Sequence, residues 1–420
     1  MEKSLFSNNL GVGSFLMLKI SIWSVSILTS ITGLAISPSL PEIQQKFPHV
    51  GKTEIDMLIS LPNLLLIPFV IIAGKLAQSN SKTLLIRIGT LFFLGAAIAY
   101  QFANSISTLL IISILLGLGA GFVVPLAAQL PSVVFRGAER QKQMGICSGI
   151  SNAAQVLCTF LAGWLATINW HAPFWVYSLA IIPLLLSPFL QIEKYERQQP
   201  SSASSVTAAD PSPVISGLGK SGINIRQLIQ LMILYFIVMF FNLQIPISLP
   251  FLLSHHHIDT TISGSLISIF FLVQAGSAFL INNIIRCFGK KTMVFALFVI
   301  SVCLFLFPFV KSVEWYYLLA AFAGITGGTI EPLIWNKTSQ VSTPEKSTVA
   351  FGWIMSACYL CIWATPYILN LLSDIFHNDL STFPFFVSGG ISILFTVVLL
   401  FSQNQTVFGM KREVELMKKS

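Results

Sequence analysis

Long stretches almost free of charged residues divide this sequence, and they limit what the chain can fold into. Twelve of them, each of about 20 mostly apolar residues, recur along the 420 residues between shorter polar segments. An α-helix of about that length crosses the hydrocarbon core of a bilayer. Only 10% of the residues are charged, whereas soluble domains carry about 25%. We therefore expect an all-α membrane protein whose solvent is the lipid bilayer.

We number the predicted spans 1 to 12. Where the connection between two consecutive spans is very short, polar residues within it, such as Asn104 and Ser105, favour two spans over one long helix. The twelve predicted spans are Leu18–Ser37, Asp56–Leu76, Thr83–Ala103, Thr108–Ala128, Met144–Thr167, Ala172–Gln191, Leu228–Pro250, Thr261–Asn283, Thr292–Val310, Trp315–Trp335, Val349–Leu371 and Phe383–Ser402.

The basic residues test this count independently. Cytoplasmic loops of membrane proteins are enriched in Lys and Arg. With the N-terminus placed inside, 21 of the 24 Lys and Arg residues fall on the cytoplasmic side, and only Lys46, Lys52 and Lys311 fall outside. A miscounted span would scramble this segregation. We therefore predict a multi-pass protein of the cell membrane with both termini cytoplasmic, and the net charge of +8 gives no indication of nucleic-acid binding.

The longest polar stretch lies midway along the chain. It contains a run rich in Ser, Pro and Ala over residues 198–213, a composition typical of a flexible linker. We predict an N-terminal six-helix bundle over residues 1–192, a cytoplasmic linker loop over residues 193–226, and a C-terminal six-helix bundle with a short tail over residues 227–420.

The two halves share sequence features in the same order. Gly117, Gly121 and Pro125 of span 4 align with Gly324, Gly328 and Pro332 of span 10 at one offset of 207 residues. At an offset of 209, Ser39-Leu-Pro after span 1 aligns with Ser248-Leu-Pro in span 7. These matches predict two six-helix pseudo-repeats.

This layout resembles the major facilitator superfamily, whose members place two six-helix bundles around an alternately accessible cavity. Residues 36–43 (Ile-Ser-Pro-Ser-Leu-Pro-Glu-Ile) resemble the end of the first helix in the twelve-span drug:proton antiporter branch, and residues 74–77 (Gly-Lys-Leu-Ala) resemble the start of the family's signature loop. The chain departs from the branch at Ser113, where a membrane-embedded Arg is common. It also departs at Cys158-Thr159, where the antiporter signature has Gly-Pro.

The resemblance implies a secondary transporter that works as a monomer without a cofactor, and not an enzyme. Its partners are then a small-molecule substrate, protons and the lipid bilayer. Proton-coupled export of a small amphipathic or drug-like compound is the leading interpretation. Import of a small organic solute is an alternative, consistent with the missing Gly-Pro. A non-transporting membrane sensor or lipid-handling protein is an alternative of another class.

One acidic residue lies well inside a predicted span. Fifteen of the sixteen Asp and Glu residues lie in loops, tails or span ends, whereas Glu331 lies about two-thirds of the way along span 10. A charge at that depth costs about 2.5–3.5 kcal/mol on insertion scales, so an intramembrane carboxyl indicates function. We predict that Glu331 couples protons to transport. The alternative is a protonated acid that only fixes the helix next to Pro332.

Other polar or special residues in the spans are weaker candidates. On span 5, Ser148, Asn152, Gln155 and Thr159 share one helix face, which either lines the cavity or bonds to another helix. Pro332 removes the helical donor for the carbonyl of Gly328, which predicts a bend. The predicted gating positions are Gly121, Pro125, Gly328 and Pro332. The predicted substrate-cavity residues are Asn63, Asn152, Gln155, Asn242, Gln244, Gln274 and Tyr359.

Two conspicuous motifs are interpreted as structural. Three consecutive histidines, residues 255–257, cannot share one helix face and lie in a predicted external loop, so we expect no metal site there. Cys358 and Cys361 form a C-x-x-C, but it lies inside span 11, where two small buried residues are the expected interpretation.

Overall fold

A computed structural model describes residues 12–79, 81–135, 137–190, 223–342, 347–376 and 382–401. The described residues are almost entirely helical, and their one isolated β-bridge pairs Ile223 with Ser342. The fourteen α-helices are α1 (Val12–Ile27), α2 (Leu40–Lys46), α3 (Lys52–Ser79), α4 (Lys82–Tyr100), α5 (Ile106–Val134), α6 (Gly137–Ala166), α7 (Ile181–Leu186), α8 (Ile225–His255), α9 (Thr260–Phe279), α10 (Ile281–Phe288), α11 (Thr292–Leu306), α12 (Val313–Gln340), α13 (Ser347–Phe376) and α14 (Phe383–Phe401).

The twelve predicted spans all coincide with helical segments, so the all-α fold class is confirmed. Within the described residues, ten helices are long and apolar enough to cross a membrane, and the apolar helix Phe15–Ile27 is shorter. Span 2 coincides with the 28 residues of α3. The twelve-span pattern is therefore consistent with the structure, although the combined criteria of length, hydropathy and charge select ten of the described helices.

Spans 1 and 6 differ from the continuous helices expected from their hydropathy. Span 1 leaves the α-helix after Ile27 and resumes as a 3₁₀ helix over Gly33–Ser39. The intervening residues are rich in Thr and Ser, whose hydroxyls compete for backbone groups; the Thr29 hydroxyl donates to the carbonyl of Ser26 at 2.7 Å. Span 6 begins as a 3₁₀ helix over Ala172–Ala180, and each of its three short pieces contains a proline.

The chain forms two compact units, Met1–Ser205 and Val206–Ser420. The same span pairs pack together in each unit. Spans 2 and 4 (α3 with α5) correspond to spans 8 and 10 (α9 with α12), and spans 1 and 5 correspond to spans 7 and 11 (α8 with α13). Spans 3 and 6 likewise correspond to spans 9 and 12 (α11 with α14). The packing therefore repeats as the sequence offsets predict.

Glycines allow the closest of these helix pairs. A Cβ placed on Gly117 would lie 3.0 Å from both Cα and the carbonyl oxygen of Pro62, and one on Gly324 would lie 2.5 Å from the carbonyl oxygen of Phe270. Small residues at such positions let two helix backbones approach within the membrane. The aligned Gly-rich segments of spans 4 and 10 thus have the same packing role in each unit.

Two polar contacts fasten the first unit. Tyr100 and Ser113 share a hydrogen bond of 2.7 Å between α4 and α5, so Ser113, where the resemblance leads us to expect Arg, makes a fully buried packing contact here. In the middle of α1, the Lys19 ammonium donates to Glu139 Oε1 of α6 at 2.7 Å, and Gln143 Nε2 donates to the same oxygen at 2.8 Å. The bond from Lys19, followed by that from Gln143, lowers the pKa of the Glu139 carboxyl.

Candidate functional site

Glu331 lies in α12 within the second unit, and two polar side chains from neighbouring helices contact its carboxyl group. The Tyr235 hydroxyl of α8 donates to Oε1 at 3.2 Å, and Gln274 Nε2 of α9 donates to Oε2 at 3.4 Å. Tyr235 is buried, whereas Glu331 and Gln274 are partly exposed. Each carboxylate oxygen thus accepts one hydrogen bond, and the two donors come from different helices.

The carboxyl group of Glu331 has no cationic partner among the described residues, where no Lys, Arg or His forms an ion pair with it. The Cys358 thiol of α13 lies close to both Tyr235 and Glu331. Each oxygen therefore has one neutral hydrogen-bond donor instead of a compensating charge. Two neutral donors stabilise a carboxylate without making its protonation prohibitive, so the group can exist in either form.

Two adjacent glycines of α12, Gly327 and Gly328, explain how Gln274 reaches this site. Cβ atoms placed on Gly327 and Gly328 would collide with the Gln274 side chain and with its backbone carbonyl, respectively. With no side chain in the way, α9 approaches α12 closely enough for the Gln274 amide to reach one turn further, to Glu331. Gly328 therefore has a packing role here. Helix α12 continues through Pro332 to Gln340.

Two of the other predicted cavity residues, Asn63 and Gln244, form hydrogen bonds within their own helices. Asn63 Nδ2 donates to the Ile59 carbonyl of its own helix at 2.7 Å. Gln244 is fully buried, and both ends of its amide are bonded within α8, to the Phe240 carbonyl and the Ser248 hydroxyl. Both residues form these bonds inside single helices, which is typical of structural polar groups in a membrane.

Two of the remaining candidates keep free hydrogen-bonding capacity among the described residues. Asn242 donates to the Val238 carbonyl at 2.9 Å, but its Oδ1 is buried without a partner among the described residues. Gln155 Nε2 is likewise buried without one. Asn152 and Tyr359 are partly exposed. Of the predicted gating residues in the first unit, Gly121 packs directly against Phe69, and Pro125 lies within the continuous α5.

Sequence reasoning missed Tyr235. A tyrosine in an apolar run is indistinguishable by pattern from a packing aromatic, and only the pairing of α8 with α12 shows where its hydroxyl points. The available signal was chemical, because a buried tyrosine hydroxyl usually has a hydrogen-bond partner.

The fold and this site define a polytopic membrane protein built from two similar helical bundles, one with an intramembrane acid. The family model of the Major Facilitator Superfamily matches residues 22–366 and 231–416. The chain belongs to that superfamily, whose members are transporters and not enzymes.

Curated relatives match part of the chain. The MFS-type transporter YceJ of Bacillus subtilis is 29% identical over 169 residues, covering 39% of this chain and 43% of YceJ. The multidrug transporter protein MdtP of the same organism is 30% identical over 109 residues, 26% of this chain and 20% of MdtP. The quinolone resistance protein NorA of Staphylococcus aureus is 25% identical over 163 residues, 37% of this chain and 41% of NorA. The matched regions thus span less than half of each relative.

Solved structures agree on the fold over almost the full length. A POT family transporter crystallised with 5-aminolevulinic acid superposes with a TM-score of 0.69 at 13% identity, covering 93% of this chain and 95% of that one. Identity this low shows the fold alone.

Proposed function

We propose that this protein is a secondary transporter that exports a small amphipathic or weakly basic compound in exchange for protons, with Glu331 as the proton-coupling group. The observation that carries the proposal is the carboxyl group of Glu331, which lies in a predicted span and is bonded, within the described residues, to the neutral donors Tyr235 and Gln274. An intramembrane acid without a cationic partner is costly to keep for packing alone.

The expected cycle follows from the two forms of the acid. In its protonated form Glu331 is neutral and tolerates a dry surrounding. In its ionised form it is stabilised by Tyr235 and Gln274, and it attracts a cationic group of the substrate. Proton and substrate then compete for one carboxylate, which is the requirement for exchange. The names of MdtP and NorA, as proteins of multidrug transport and quinolone resistance, support export of drug-like compounds.

Import of a small organic solute is the second candidate, and one observation favours it. Thr159 occupies the position of the antiporter proline, and its hydroxyl donates to the Gln155 carbonyl at 2.9 Å within an unbroken α6. The flexibility that a proline would give this helix is missing.

Transport into everted vesicles separates these candidates. A panel of weakly basic aromatic compounds is offered with an imposed proton gradient, acid inside, and with the gradient collapsed. Export predicts accumulation that requires the gradient and a proton efflux triggered by substrate. Gradient-dependent accumulation in right-side-out vesicles alone would instead establish import.

A further inference from the structure

The interruption of span 1 lies beside a polar cluster of the first unit. Residues 28–32 are not helical, between the end of α1 at Ile27 and the 3₁₀ helix that begins at Gly33. Within a bilayer, non-helical backbone is tolerated only where protein buries it or where it lines an aqueous cavity. In transporters such breaks often form binding sites.

Three hydroxyl groups meet at the break. The Ser151 hydroxyl of α6 lies 2.5 Å from that of Thr29 and also contacts that of Ser30. Thr29 donates its own proton to the Ser26 carbonyl at 2.7 Å. Ser151 must therefore donate to Thr29, and Ser30 must donate to Ser151. Every hydroxyl proton of the cluster is thus used internally.

Gln155 supplies the donor that remains unused. It lies one helical turn after Ser151, so both side chains are on the same face of α6. Its side chain is 5% exposed, and Nε2 has no hydrogen-bond partner among the described residues. A buried amide donor without a partner costs about 1–3 kcal/mol, so the unused donor of Gln155, one turn from the Ser151 hydroxyl that contacts partly exposed Thr29 and Ser30, indicates an external acceptor.

The surroundings indicate what kind of acceptor it is. No Asp, Glu, Lys or Arg lies within two helical turns of Thr29, Ser151 or Gln155 along the chain. These segments therefore supply no countercharge to an anionic ligand group, whereas a neutral oxygen needs none.

We infer that Gln155 and the broken segment of span 1 form a subsite for a neutral carbonyl or ether oxygen of the transported solute. Gln155 Nε2 donates to that oxygen, and the Ser30–Ser151–Thr29 hydroxyl chain positions the interrupted backbone beside it. This inference rests on the proposed transport function, and it narrows the substrate to compounds that carry such an oxygen.

Thermal unfolding of the purified full-length protein in detergent tests the subsite without a proton gradient, so its outcome is independent of Glu331 coupling. Gln155→Leu removes an unpartnered donor, and we expect the ligand-free Tm to stay unchanged or rise. Gln244→Leu is the matched control, because it breaks satisfied bonds within α8 and should lower the Tm. A fall in Tm for Gln155→Leu as large as that of the control would overturn the inference.

The second part of the experiment measures how added compounds shift the thermal unfolding of the wild type and of Gln155→Leu. A quinolone and puromycin carry carbonyl oxygens, whereas ethidium and tetraphenylphosphonium carry none. We expect a carbonyl compound to stabilise the wild type and to bind Gln155→Leu about three- to tenfold more weakly, while the carbonyl-free cations bind both alike. Equal weakening of both classes, no weakening, or no stabilisation of the wild type by either carbonyl compound would contradict the subsite.

Discussion

The chemistry of Glu331 depends on which groups face its carboxylate. Tyr235, Gln274 and Cys358 come from three different helices, and all are neutral at ordinary pH. Since a Lys or Arg at hydrogen-bond distance would hold the acid permanently ionised, this choice of neutral donors keeps both protonation states within reach.

Tyr235→Phe tests the contribution of the stronger contact. The variant removes a donor to the ionised form of Glu331 while keeping the ring, so we expect gradient-driven transport to slow and its pH optimum to move upward. Transport–pH profiles in everted vesicles measure both.

Tyr317→Phe is the control, because it removes a tyrosine hydroxyl of α12, the helix of Glu331, that bonds to Ser265 and not to Glu331. An identical pH profile for Tyr235→Phe and the wild type would show that the Tyr235 contact has no role in coupling.

The Lys19–Glu139 pair makes a pH-dependent contribution to stability. Because Lys19 lowers the pKa of folded Glu139, the stabilisation is present at neutral pH and is lost as the pH falls through that lowered value. The side chains are 21% and 37% exposed, so solvent screening limits the contribution to about 0.2–1 kcal/mol.

We therefore expect Glu139→Gln to lower the Tm by about 1–3 °C at pH 7 and to have a smaller effect near pH 4. Thermal unfolding at both pH values measures the difference. Glu314→Gln, at an exposed position, should change neither. A Glu139→Gln deficit that is the same at both pH values would assign the effect to packing.

At the scale of helices, Gly328 of α12 decides how closely α9 and α12 can pack. Gly328→Ala places a Cβ against the Gln274 carbonyl and the Ser277 hydroxyl, and backbone cannot yield as a flexible side chain can. We expect a loss of about 1–3 kcal/mol in stability and a displaced Gln274. Expression level and thermal unfolding in detergent measure it.

Gly276→Ala, on the facing helix α9, is the matched control. A Cβ there would meet nothing within 4 Å, so we expect a neutral or slightly stabilising effect. If Gly328→Ala were as well tolerated as Gly276→Ala, the close approach of α9 and α12 would be wrong.

The elements also show what the sequence could predict. The spans could be predicted because the bilayer requires each spanning helix to be long and apolar, whatever its neighbours are. The continuous α5 is an example. The contact of Tyr235 with Glu331 was not predictable, because it depends on how α8 rotates against α12. The break of span 1 was not predicted either, because hydropathy is insensitive to the conformational preferences of Thr29, Ser30 and Gly33.

For the whole molecule, the repeated helix packing and the placement of the basic residues describe two different properties, the architecture and its orientation in the membrane. The span pairs that pack in one unit pack again in the other, which gives the two bundles one common architecture. The distribution of Lys and Arg predicts how this architecture is oriented in the membrane.

Single cysteines in a cysteine-depleted background test that orientation. A cysteine at Ser204, in the predicted linker loop outside the described residues, should react with an impermeant reagent only from the cytoplasmic side. One at His256, just after the end of α8, should react only from outside. Labelling of both positions from one side would contradict the predicted topology.

The central claim is that Glu331 couples protons to transport, and Glu331→Gln tests it most directly. The variant keeps the size and hydrogen-bonding capacity of the side chain but cannot titrate. We expect it to insert, to bind a neutral substrate and to retain exchange without a gradient, yet to lose uphill transport in everted vesicles. Glu314→Gln, on the same helix outside the span, should transport normally. Uphill transport by Glu331→Gln at the wild-type rate, with unchanged pH dependence, would contradict the account.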